Sequence, residues 1–134
     1  MGVGTGHDGK VWVTDMDTIE VSNLSRQFLF RQHDVGSAKS VSGARVVKKW
    51  NPQMTIEAME KKVGPDSEDF FDDKFWDSLD VCWNALDNID ARKYTDSRCL
   101  VYSKPLLESG TLGTKSNSEV VLPFRTSSYN DGEE

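Results

Sequence analysis

Two cysteines, Cys82 and Cys99, are all that this chain of 134 residues contains. That is too few for a disulfide scaffold, and no Cys-x-x-Cys or Cys/His spacing marks a zinc site. Long apolar runs are missing too. None approaches the length that spans a bilayer, and the N-terminal MGVGTGHDGK lacks the apolar centre of a signal peptide. Positive charge is scarce: 16 basic residues stand against 22 acidic ones, a formal charge of −6. Generic binding to nucleic acid or to an anionic membrane needs a basic face and is not expected. One phosphorylated ligand remains compatible, because a few converging cations outweigh the global sign locally. A reduced, intracellular protein is the expectation.

What the chain does have is the composition of a folded domain, 37% hydrophobic and 28% charged. Its length suffices for one core. Lys10 to Asp15 alternates β-branched or aromatic with polar residues and reads as a strand ending in the acidic pair Asp15 and Asp17. Ala38, Val41, Ala44 and Val47 predict a helix from Ser37 that Asn51-Pro52 stops. Thr55 to Val63 is a weaker strand. After a turn at Gly64-Pro65-Asp66, a helix over 66–79 would bury Phe70, Phe71, Phe75 and Trp76.

Further on, residues 80–86 read as a strand through Val81, Trp83 and Ala85, with Asp87-Asn88 just past its end. A helix over 91–102, a short strand at Leu106-Leu107 and a last strand over 119–122 follow, then an unstructured polar tail from Thr126. Strands alternating with helices imply an α/β fold with a mostly parallel, doubly wound sheet. Ligands of such sheets bind where loops leave the carboxyl ends of the strands, which Asp15, Asp17, Asp87 and Asn88 occupy.

Gly2-Val3-Gly4-Thr5-Gly6 imitates a dinucleotide fingerprint but lacks its context. That motif joins a strand to a helix, so that backbone N–H groups and the helix dipole face a phosphate. Here no strand precedes it and a strand follows. Asp15 also comes too soon to be the ribose-binding acid about 20 residues downstream. If Asp15 instead ends a second strand, then a first strand, its glycine loop and its helix are missing from an incomplete Rossmann-like domain.

Four blocks then carry a resemblance: VTDMDTIE followed by SNL-S-RQFLFR, DVGSAK at 34–39, NALDNIDAR at 84–92 and KPLLESGTLGTK at 104–115. In order and spacing this resembles the active adenylation half of ubiquitin-activating enzymes, within the ThiF/MoeB-like adenylation superfamily. Ser25 and Ser116 depart from the family's usual Asn and Gly. The resemblance implies a partial adenylation domain over 1–125, with 126–134 a tail leading towards a catalytic-cysteine region outside the chain. It implies MgATP-dependent adenylation of the C-terminal carboxylate of ubiquitin, ahead of thioester transfer to a cysteine that neither Cys82 nor Cys99 matches.

By the same resemblance, Asp15 matches the residue that accepts from the ribose hydroxyls, and Asp17 a carboxylate that helps hold Mg2+. Arg26 matches a phosphate-binding arginine, flanked by Asn23 and Gln27, and Lys39 the lysine facing the phosphates and the leaving pyrophosphate. Asp87 matches the principal Mg2+ carboxylate, with Asn88 beside it at the nucleotide. ATP and Mg2+ are the implied cofactors. The implied partners are ubiquitin or a ubiquitin-like protein, the remainder of the activating enzyme and, through further domains, a conjugating enzyme, in cytoplasm and nucleus. Three alternatives stand beside this: an activator of another ubiquitin-like modifier, a noncatalytic interaction fragment, and a piece of an NAD-dependent dehydrogenase. The last would explain an acidic strand end but not Arg26, Lys39 and Asp87 together.

Overall fold

In the computed structural model, which describes residues 2–132, the alternating segment near the N-terminus forms strand β1, Val11–Thr14. It pairs in parallel with β2, Ile56–Met59, in the register Val11↔Ile56 to Thr14↔Met59. Parallel neighbours need a crossover, and helix α1, Lys39–Trp50, supplies it. These elements belong to the first of two compact units, Met1–Lys62 and Val63–Glu134. The first unit's core is Ile19, Phe30, Ala44, Met54 and Met59.

Helix α1 starts and stops near the expected positions, but its buried face is different. Residues spaced by three drift about 60° around a helix at each step, so Ala38, Val41, Ala44 and Val47 do not share one stripe. The inward stripe runs through Ser40, Ala44 and half-buried Val47, while Val41 is 46% exposed. Small serines let this helix lie close to its neighbours.

The second unit contains α2 (Asp73–Ser78), β3 (Cys82–Asn84), α3 (Ile89–Val101), β4 (Leu106–Leu112) and β5 (Lys115–Val121). Strands β3 and β4 are parallel, and β4 and β5 form an antiparallel hairpin from Leu106↔Val121 to Leu112↔Lys115. Gly113, with φ of 60°, begins the two-residue loop, where a side chain would be strained. Phe71, Trp76, Cys99, Leu106 and Val121 make this unit's core. The described strands thus form two sheets, β1-β2 and β3-β4-β5.

Three further expectations change. The helix expected over 66–79 is a 3-10 turn at Pro65–Ser67 followed by the short α2, because the Asp72 carboxylate accepts from Phe75 N at 3.0 Å and starts a new helix there. Phe71 and Trp76 are buried, Phe75 is half-buried, and Phe70 is 48% exposed. In β3 the inward side chain is Asn84, while Trp83 is 59% exposed and Cys82 half-buried. In the tail, Tyr129–Gly132 forms a 3-10 turn whose Tyr129 N donates to Asp96 Oδ1 at 3.2 Å. Glu133 and Glu134, the end of that expected tail, lie outside the described residues.

Candidate functional site

At the carboxyl end of β1 the chain turns sharply. Asp15 Oδ1 accepts from Asp17 N at 2.8 Å, a side-chain turn suited to a short carboxylate. Lys39 opens α1, and its backbone N donates to Asp17 O at 2.9 Å, next to a bridge between Thr18 and Ala38. Its Nζ lies 3.6 Å from Asp17 Oδ2, with the lysine side chain 17% and the aspartate 53% exposed. Asp15, Asp17 and Lys39 are therefore brought together. So long an ion pair, with one partner half in solvent, is weak.

Asn23, Arg26 and Gln27 form a second group. Asn23 is buried in the 3-10 turn Val21–Ser25: its Oδ1 accepts from Glu20 N at 2.9 Å, and its carbonyl accepts from Arg26 N and Gln27 N. Its side chain is thus first a turn-builder. Arg26 is exposed, with Nη1 donating to Ser22 O at 3.0 Å. Gln27 Oε1 is buried without a hydrogen-bond donor, an acceptor whose need is unmet. Among the described residues no hydrogen bond or ion pair links Arg26 to Asp15 or Lys39.

Asp34, from the 34–39 block, is 3% exposed and heavily tied. Arg31 N donates to its Oδ2 at 2.8 Å, Arg45 pairs with Oδ1, and His33 Nε2 lies 3.5 Å away. The backbone bond from Arg31 leads in holding its pKa below the ordinary carboxylate value, with help from Arg45 and His33, against the opposing pull of burial.

In the second unit Asp87 is exposed just beyond β3, and Asn88 caps α3, its Oδ1 accepting from Ala91 N at 2.8 Å. Beneath this turn lies a polar cluster that sequence reasoning missed. Asn84 Nδ2 donates to Glu108 Oε2 at 2.8 Å, and Ser109 Oγ to Asn84 O at 2.8 Å. Arg92 Nε and Nη2 donate to Leu86 O at 3.0 and 2.5 Å. Arg92 Nε also lies 3.3 Å from Glu108 Oε1, yet that oxygen accepts no aligned hydrogen bond. The N–H points at Leu86, so the carboxylate feels the charge but not the donor. A polar Asn at the inward phase of a strand, and Glu in an apolar one, were the available signals.

Cys82 and Cys99 face each other. The neighbouring Cys82 thiol and burial push the Cys99 thiol pKa well above its ordinary value. Among the described residues no three His, Cys, Asp or Glu side chains converge as a metal cage. Asp17 in the first unit and Asp87 in the second are each a single exposed carboxylate, a kind of ligand compatible with Mg2+, since that ion is usually held by one or two carboxylates plus substrate oxygens.

The model of the ThiF family matches residues 1–133. The chain belongs to the ThiF family. Over its whole length this ThiF chain is 54% identical to "Ubiquitin-activating enzyme E1 1" of Candida albicans (strain WO-1) and to human "Ubiquitin-like modifier-activating enzyme 1". It is 56% identical over 129 residues to "Ubiquitin-activating enzyme E1 1" of Arabidopsis thaliana, a match covering 96% of this chain. It spans only 13% of the Candida and human proteins and 12% of the Arabidopsis one. Among solved structures, Escherichia coli MccB, crystallised with succinimide, superposes with a TM-score of 0.78 over 96% of this chain and 39% of that one, at 20% identity. That likeness establishes the fold of the ThiF chain as α/β and Rossmann-like.

Proposed function

We propose that this chain supplies part of the nucleotide site of a ubiquitin-activating enzyme. The observation that carries the reading is the match to ubiquitin activators along the whole chain, with Asp15, Asp17 and Lys39 assembled at the carboxyl end of β1. In the proposed reaction, a carboxylate oxygen of the ubiquitin C-terminus attacks the α-phosphorus of ATP. The bond to the bridging oxygen breaks, pyrophosphate leaves, and an acyl adenylate remains. No protein nucleophile is needed, so catalysis is positioning and stabilisation of charge on phosphate oxygens.

Asp15 accepts from the ribose hydroxyls. Arg26 presents a planar fork to paired phosphate oxygens, and Gln27 has an unmet acceptor beside it. Asn23 shapes the turn that carries both. Lys39 exchanges Asp17 for the leaving pyrophosphate. Asp17 and Asp87 would hold Mg2+, which supplies charge neutralisation on the phosphates when bound, and Asn88 sits at the nucleotide while capping α3. The partners proposed are ubiquitin and the rest of the activating enzyme.

The test is ubiquitin-dependent exchange of pyrophosphate into ATP by the full-length enzyme. Asp87→Ala is expected to lower it by about 10²-fold or more, as loss of a charge-stabilising group in a transition state does. Unchanged exchange would remove Asp87 from the site.

A further inference from the structure

We propose that Arg92 is a positioning residue that fixes the Asp87–Asn88 turn, with Glu108 setting the place of the guanidinium and Gly110 leaving room for it. The proposal rests on the reading of Asp87 as a Mg2+ carboxylate.

Three tethers act on the chain as it leaves β3. Ser109 holds the carbonyl of Asn84, Glu108 holds its side-chain amide, and two donors of Arg92 converge on the carbonyl of Leu86. Leu86 directly precedes Asp87, so this last tether fixes the peptide from which the carboxylate projects. The N-cap bond of Asn88 fixes the other side. Between two fixed peptides the Asp87 side chain stays exposed, in the position of a ligand presented rather than of a group consumed by the fold.

The geometry is that of a built socket. Arg92 is 18% and Glu108 5% exposed. A Cβ placed on Gly110 would lie 2.7 Å from Nη2 and 2.8 Å from Nη1 of Arg92, closer than real neighbours approach, so the guanidinium would have to move from its place. The backbone of β4 therefore gives up a side chain where the guanidinium passes. A purely structural ion pair would require only opposite charges, and lysine would serve. Two convergent donors on a carbonyl, together with a planar group packed on glycine, require arginine. Buried ligand-orienting groups of this kind typically govern metal affinity by about 10–100-fold.

The experiment uses the full-length enzyme with Arg92→Lys, Arg92→Met and Gly110→Ala. Amide exchange is followed over residues 84–101, and pyrophosphate exchange is measured against Mg2+ concentration. The expected result is faster amide exchange, by about tenfold, at positions 91 and 92, whose N–H groups donate to Asn88, while the later turns of α3 stay protected. The Mg2+ concentration giving half-maximal activity is expected to rise about tenfold, with KM for ubiquitin unmoved. Arg92→Lys, which preserves the charge opposite Glu108, decides the matter should Arg92→Met fail to fold. A folded Arg92→Lys enzyme with unchanged protection at positions 91 and 92, or with lost protection but an unchanged Mg2+ requirement, would overturn the proposal. Asp87→Ala, run in parallel, separates the failures. If Asp87→Ala retains activity, the metal reading itself has failed, and the proposal for Arg92 falls with it, whatever happens to the turn.

Discussion

Asp34 is a carboxylate 3% exposed in a chain of formal charge −6, and it stays ionised because three neighbours favour the anion. The backbone N–H of Arg31, the guanidinium of Arg45 and His33 bring its folded pKa below the ordinary value of 3.8. The sign of the linkage follows. The folded state holds this proton less tightly than the unfolded chain, so Asp34 adds stability above the unfolded pKa. That contribution is lost as pH falls from about 4 through the folded value. Asp34→Asn should lower the melting temperature at neutral pH and flatten the fall in stability across the acid range. Thermal unfolding followed by circular dichroism from pH 7 to 2 checks it. Parallel curves for the two proteins would refute the assignment. Nothing in the sequence announced this residue. It stood inside a recognisable block, but its burial and its partners Arg31 and Arg45 depend on how two turns and a helix meet.

Among the elements, α3 shows how one residue serves two ends. Asn88 is read as a neighbour of the nucleotide, and it also caps the helix through Ala91 N. Asn88→Ala should cost roughly 1 kcal/mol of stability, while Asn88→Asp, which keeps the acceptor, should cost little. Urea unfolding of both variants measures this before any activity is interpreted; equal losses would show that the cap contributes nothing. Period was the legible signal. It located β1, α1, β2 and α3 to within a few residues, because each couples a strong repeat to a recognisable stop. It failed where residues 66–79 packed four aromatics and six acidic groups, since an Asp able to cap can restart a helix anywhere in such a run. It also shortened β4 and β5. In β5 the first six residues are exposed, so no alternation of apolar and polar marks the strand. Of the candidate site, the residues named by the family's blocks came from the resemblance, and Asp15, Asp17 and Lys39 stand together at the end of β1. Asn84, Glu108 and Arg92 acting as one cluster were not legible, since their contact depends on the register of β3 against β4.

At the scale of the whole molecule, the described strands divide between β1-β2 in the first unit and β3-β4-β5 in the second. Local pattern carries no information about which strands are neighbours. Pairing is instead set by tertiary packing and by what each edge finds beside it. Among the described residues, β1 has only β2 as a partner and β3 only β4. Each therefore presents a row of backbone donors and acceptors along one side.

The registers of these sheets also order events in time. The β4–β5 hairpin closes through two residues, Gly113 and Thr114, and hairpins of this kind form in about 1–10 μs. Every parallel pair must first bring together segments separated by a whole helix; Asn84 and Glu108 are 24 residues apart. Loop closure then precedes any reward from contact, and the search is slower. After dilution from denaturant into pulse-labelling buffer, amides of 106–121 should gain protection before those of Val11–Thr14 and Cys82–Asn84. Simultaneous protection of all three would mean that the hairpin cannot persist without its parallel neighbour. In the expected order, Glu108 is already set in a formed strand when Asn84 arrives. The hairpin then acts as the template on which the Asp87 turn is cast, and a segment translated after β3 takes shape before it.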